Sequence, residues 1–222
     1  MSPAVYRPGI PVRCGGARGR RVERPFYSLG VRQLSLFSDQ AKEASPADLA
    51  GLLCAQGQVH GFGRGTAARV SIVVADRWRA VEILQACQQR ALPVDRGRTE
   101  ENHYWVRTAF LAGLLPLATA WTRGAVKAVP SGWQLDGAAL RLWVVAAGIP
   151  EGRGYLLGLD PHAPGTQTPL VAALAAVGLA ATPLGTRSGQ PSLRISGRRR
   201  LARLAEMVGD APRTTPTGQW PS

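Results

Sequence analysis

"SPADLAGLLCAQG" (residues 45–57) reads as a helix with a marked beginning and a marked end. Ser45 stands at a capping position, Pro46 has the fixed φ that a first helical residue needs, and Asp48 completes a capping-box spacing. A helix is predicted over 46–56, stopped at Gly57. Outward from it, "ARVSIVVAD" (68–76) is a β-branched, partly alternating run, hence a strand. In "DRWRAVEILQACQQRA" (76–91), Trp78, Val81, Ile83, Leu84 and Cys87 recur at helical spacing. "LPVDRGRTEENHYWVRTAF" (92–110) reads as a hairpin with a polar turn at 97–102. "LAGLLPLATAWTRGAV" (111–126) is a helix that Pro116 must kink or break. After the turn-rich link "AVPSGW" comes "DGAALRLWVVAAG" (136–148), a helix capped by Asp136 and stopped by Gly148.

From there the pattern restarts. "GYLLGLD" (154–160) echoes "VSIVVAD", "TPLVAALAAVG" (168–178) echoes the 76–91 helix, and "LAATPLGTRSGQPSLRIS" (179–196) echoes the hairpin. "GRRRLARLAEMVG" (197–209) closes the second half as a helix. An internal duplication of an αββαββα unit accounts for this order better than one long fold.

The words that open the two halves carry a resemblance. "LAGLLCAQG" (49–57) resembles the signature helix of LAGLIDADG homing endonucleases in six of nine letters, and "LRLWVVAAG" (140–148) is similar to the second signature of tandem-repeat members. The resemblance spans roughly 46–208. It implies an α/β (α+β) fold: two pseudo-symmetric LAGLIDADG-like repeats forming a saddle-shaped sheet. The expected organisation is a disordered basic arm over 1–44, a first repeat over 45–128, a second over 135–209 and a flexible tail over 210–222. In that family the signature helices pack together through small residues, for which Ala50, Gly51, Ala55 and Gly57 on one side and Ala146, Ala147 and Gly148 on the other would serve. The eighth letter is the family's metal-holding acid. Here Gln56 and Ala147 stand in that place, and the sixth letters are Cys54 and Val145. Hard divalent cations need anionic oxygen ligands. The resemblance therefore implies a scaffold kept and a nuclease lost, with no metal and no cofactor.

Charge points to a partner. The 222 residues carry a formal net charge of +13, and only Lys42 and Lys127 among the 27 basic residues are lysines. A GC-rich genome explains the Arg:Lys ratio but not the excess over acid, which favours a polyanion such as DNA. Residues 1–32 hold seven arginines against Glu23. The saddle implied by the resemblance would present alternate side chains to DNA. His103, Trp105 and Arg107 alternate on one strand, Arg69 and Ser71 on another, Arg194 and Ser196 on a third. Arg64, Arg96, Arg98, Arg153 and Arg187 fall in flanking turns, and Arg198 and Arg199 open the last helix. Arginines so placed pair with phosphates or read guanine edges; ordinary solvated faces are the competing account.

"QLSLF" (33–37) matches the pentapeptide by which many bacterial polymerases and repair proteins hold the DNA polymerase III sliding clamp. Leu34, Leu36 and Phe37 suit an apolar cleft on a partner, Gln33 fixes register by hydrogen bonding, and Ser35 fills the variable place. The alternative is a small amphipathic segment packed on its own domain.

Other chemistry is sparse. Cys14, Cys54 and Cys87 form no CxxC pair, and His60, His103 and His162 have no ligand-spaced partner. "GFGRGTA" (61–67) reads as a turn. No apolar run of membrane-spanning length occurs, and the N-terminal arginines have no apolar stretch behind them, so no secretory signal is expected. The expectation is a cytoplasmic, nucleoid-associated monomer, a pseudo-dimer in one chain. It would be a non-catalytic DNA-binding protein of bacterial replication or repair, tethered to the clamp. A transcription regulator on the same scaffold is the alternative, though no helix-turn-helix follows position 208. A nuclease drawing acids such as Asp48 or Asp136 is a third reading, but both are better explained as caps.

Overall fold

The computed structural model describes residues 43–63, 65–185 and 190–222. The clamp-like motif Gln33–Phe37, Arg64 and Arg187 lie outside them. The first helix opens with the capping box: Ala47 N donates to Ser45 Oγ at 3.3 Å, and Ser45 N to Asp48 Oδ2 at 2.8 Å. A tight 3-10 turn, Pro46–Leu49, leads into α1 (Ala50–Cys54), and Gly57 N closes the end on Leu52 O at 2.9 Å.

The first half continues as β1 (Gln58–Phe62), β2 (Ala67–Val74), α2 (Arg77–Gln89), β3 (Val94–Arg98), β4 (Tyr104–Thr108) and α3 (Leu115–Trp121), then the small hairpin β5 (Thr122–Arg123) and β6 (Val126–Lys127). The second is α4 (Gly137–Ala147), β7 (Gly148–Glu151), β8 (Gly154–Gly158), α5 (Gln167–Ala176), β9 (Ala181–Leu184), β10 (Ser192–Ser196) and α6 (Arg198–Val208). Two antiparallel sheets result, ordered β1-β2-β4-β3 and β7-β8-β10-β9. The order is the same in both, as a duplicated α+β unit requires.

The signature helices α1 and α4 pack against each other. Gly51 explains how: a Cβ there would lie 1.9 Å from Ala139 O. One buried cluster joins both halves, from Leu49, Leu53 and Ile83 to Leu140, Trp143, Leu157 and Ile195. Trp143 is fully buried only because its indole N–H reaches Gly158 O at 2.9 Å.

Several expectations need correction. Strands β1 and β7 escaped the pattern because "QVHGF" and "GIPE" carry glycine or proline and little alternation. Within "GFGRGTA", Gly61 and Phe62 end β1 and Ala67 begins β2. The helix read through 111–126 is three pieces: a 3-10 turn, α3 with Pro116 in its first turn, and a hairpin turning at Gly124 (φ 64°). The stretch 210–222, expected to be a flexible tail, is docked. Trp220 donates to Gly209 O at 2.8 Å with the Arg141 guanidinium 5.0 Å from its ring, and Gln219 O accepts from Tyr155 Oη at 2.9 Å. One tryptophan with a satisfied N–H anchors it. Among the described residues, no helix is long and apolar enough to cross a membrane.

Candidate nucleic-acid interface

Each sheet buries one face on the helices and leaves the other open. In β2, Ala68, Val70, Ile72 and Val74 are buried, while Arg69, Ser71 and Val73 point the other way. Cross-strand partners share a face, so register extends the open side. His60 faces Arg69, Gln58 and Arg107 flank Ser71, Trp105 faces Val73, and Gly97 and Asp95 lie beyond Trp105 and Arg107. The Trp105 indole fills the space that a Cβ on Gly97 would need. Arg107 lies 4.5 Å from that ring and pairs with Asp95 at 2.9 Å. The hydrogen bond from Arg107, helped by the Arg96 backbone N–H, holds the Asp95 carboxyl below its usual range.

Arg69 stacks 4.6 Å from the Phe110 ring, which lies 5.0 Å from Phe62. The Arg69 Nε is buried without a hydrogen-bond partner among the described residues. A cavity of about 480 Å³ opens here, lined among others by Gln56, Gln58, Arg69, Trp105, Arg107 and His162.

The second sheet's open face is plainer. Ile149, Leu156, Arg194 and Thr182 line up across it, with Arg194 held to Glu151 at 3.0 Å. Between the sheets, a second cavity of about 490 Å³ runs from Gln56 and Asp76 to Ala147, Ile149 and Leu184.

Some sequence-predicted residues belong elsewhere. Arg96 and Arg98 are not in a turn but in β3, paired with Val106 and Tyr104 on the face opposite Trp105 and Arg107. Arg98 is spent on Tyr104 Oη and Asn102 Oδ1, both at 2.7 Å. His103 precedes β4 and lines the cavity between the sheets, 3.8 Å from Glu101. Arg153 is exposed in the β7–β8 turn; Arg198 and Arg199 are exposed at the start of α6. Missed altogether were His60, Phe62 and Phe110. Phe62 and His60 sit on the unrecognised β1, so no alternation pointed at them.

The ends of the signature helices are built from residues that the sequence did not single out. Lys127, on the short hairpin, is 8% exposed, and its Nζ reaches Ala55 O at 2.8 Å, Gly57 O at 2.9 Å and Asp160 Oδ2 at 2.6 Å. Three ammonium protons thus meet three acceptors; burial still pulls the Lys127 pKa below the ordinary lysine value, and the hydrogen bond and charge of Asp160 offset it only in part. Burial acts to raise the Asp160 carboxyl, but the hydrogen bonds from Lys127, His162 N and Gln58 outweigh it and hold it below its usual value. At the end of α4 the counterpart is Arg79. It donates to Val145 O at 2.7 Å and Gly148 O at 2.6 Å, and pairs with Asp76 at 2.9 Å. Asp76 and Asp160 follow equivalent strands of the two repeats. Each signature helix therefore ends on a buried cation with its own carboxylate, where the helix dipole is negative. Gln56 is exposed beside Lys127's acceptors, and Ala147 packs near Gly158.

These features define a LAGLIDADG-type fold: paired signature helices under two four-stranded sheets. Solved structures agree. The homing endonuclease I-WcaI, bound to its DNA recognition sequence, matches 81% of this chain and 90% of its own at 11% identity, with a TM-score of 0.54. Full-length DUF199/WhiA from Thermatoga maritima matches 76% of this chain at 14% identity and a TM-score of 0.53; the match spans 56% of WhiA. The N-terminal LAGLIDADG domain of DUF199/WhiA matches 81% of this chain and 88% of its own at 13% identity, with a TM-score of 0.52. No protein-family model and no curated protein sequence matches the chain.

Proposed function

We propose that this chain is a DNA-binding protein that keeps the LAGLIDADG scaffold without its nuclease, and that "QLSLF" tethers it to the bacterial sliding clamp in replication or repair. The observation that carries the non-catalytic reading is the state of the two helix ends. Gln56 and Ala147 bring no anionic oxygen there, and the nearest buried carboxylate, Asp160, is already neutralised by Lys127. Among the described residues no group of three metal-binding side chains occurs. A hard divalent cation needs several anionic oxygens and would meet a fixed positive charge instead. This donor set does not suit it, and no cleavage step is routed through one. DNA binding rests on the +13 charge and on Arg69, Arg107 and Arg194 along the open faces. The likeness to WhiA favours a second reading, a transcription regulator on the same scaffold.

The tether is tested by titrating the full chain with the host's purified sliding clamp in a calorimeter. Short linear motifs bind weakly, so an affinity of about micromolar order is expected. Leu36→Ala with Phe37→Ala should abolish it while leaving the thermal melt and DNA binding in place. Clamp binding that survives the double change, or that is never seen, removes the tether. With magnesium or manganese present, the unaltered protein should leave plasmid and branched DNA intact; metal-dependent cutting would refute the loss of the nuclease.

A further inference from the structure

We infer that the open face of the first sheet is a platform for unpaired nucleotides, so that the preferred ligand is DNA with a single-stranded segment. The inference deepens the DNA-binding reading and rests on it. Duplex DNA shows a protein its phosphates and base edges and hides the faces of its bases; exposed aromatic rings gain from stacking only where bases are unstacked. This face carries two such exposed rings, one of them stacked against an arginine, and a third, half-buried ring that also carries an arginine. Phe62 is 61% exposed and Phe110 38%, well above an ordinary resting place for phenylalanine. Their rings touch at 5.0 Å, and Arg69 lies over Phe110. At the far end Trp105, braced on Gly97, is covered by Arg107.

The register orders these groups as a track. Phe62 pairs with Ala67, and along β2 the open side continues through Arg69 and Ser71 to Val73, which pairs with Trp105. Six residues of strand span about 20 Å, room for several nucleotides of an extended strand. The rings mark the ends and the arginines the middle, so bases and phosphates are met along one line. The cavity of about 480 Å³ beside Arg69 and Trp105 falls in the range that holds a nucleotide-sized ligand. Gln56, exposed at its wall, offers an amide to a base edge. The equivalent face of the second sheet has Ile149, Leu156, Arg194 and Thr182, and among the described residues no aromatic ring lines up with them. The two halves therefore divide the contacts, with stacking on the first and backbone contact on the second.

The test compares binding of the full chain to a fluorescently labelled oligothymidine and to a duplex of equal length at one salt concentration. The wild type should hold the single strand more tightly, with quenching of tryptophan fluorescence. Phe62→Ala with Phe110→Ala should weaken single-strand binding by roughly five- to a hundredfold, the value of about one stacked base, and weaken duplex binding much less. Because Trp105 is wedged against Gly97, Trp105→Ala would disturb the sheet and is not the variant to use. The exposed Phe62→Leu change, which keeps an apolar group but removes the ring, gives a second arm and should also weaken the single strand selectively. Equal losses on both ligands, no loss on either, or a wild type that prefers duplex would each overturn the platform. Failure to bind both ligands at low salt would instead overturn the DNA-binding reading beneath it.

Discussion

Lys127 is one of two lysines in the chain, and its surroundings say why it is not an arginine. A compact ammonium fits three acceptors from two segments, Ala55 O, Gly57 O and Asp160 Oδ2, where a planar fork would not. Removing one partner of such a buried pair leaves the other charge unmatched. Asp160→Asn should therefore cost about 3–5 kcal/mol, read as a lower urea midpoint. The pH dependence follows from the sign of the shift. A carboxyl whose folded value lies below its unfolded value stabilises the fold above the unfolded value, roughly pH 4. That stability is lost as pH falls through the folded value. An acid titration of the urea midpoint should show the loss in the wild type and a shallower one in Asp160→Asn. Identical profiles would mean that Asp160 is not linked to folding.

At the scale of elements, α1 and α4 approach as closely as they do because Gly51 has no side chain. Gly51→Ala must push the helices apart or tilt them, and should lower stability by about 1–3 kcal/mol despite alanine's better helix propensity. A melting temperature that rises would refute the close packing. The sheets make their own prediction. Each phosphate neutralised by an arginine releases condensed counterion and adds to the slope of log affinity against log salt. Arg107→Ala with Arg194→Ala should lower DNA affinity and flatten that slope; deleting residues 1–30, which carry six arginines, should flatten it further. Gel shifts across a salt series decide this, and an unchanged slope in both would reduce the positive charge to codon usage.

For the molecule as a whole, the docked C-terminal stretch ties the second half together. Trp220 and Gln219 touch α4, β8 and the end of α6 through Arg141, Tyr155 and Gly209. Removing residues 211–222 would expose the Arg141 and Tyr155 surfaces and leave the Tyr155 hydroxyl to water. The truncated chain should melt at a lower temperature and bind DNA with unaltered affinity at low temperature. A truncation that melts like the full chain would show the docking to be energetically idle.

What the sequence determined by itself is the repeated order of elements and the two helices at its centre. Caps, stops and apolar periodicity are local signals, and the capping box at Ser45 and Asp48, the Asp136 cap and the strand at 68–76 all formed where local chemistry placed them. The alternation of Arg69, Trp105 and Arg107 was likewise readable, because a strand with one buried face exposes every second residue. Tertiary structure alone decided the rest. Strands β1 and β7 exist because a neighbour supplies their hydrogen bonds, not because their residues favour strands. Arg96 and Arg98 face away from Trp105 because register, which a sequence does not state, assigns the face. Lys127, Arg79 and Asp160 looked like ordinary loop and helix charges. They became the caps of the signature helices only when the chain brought Lys127 beside carbonyls some seventy residues earlier and Arg79 beside carbonyls as far ahead. Long-range partnership is what turns a solvated charge into a buried one, and spacing along the chain carries no record of it.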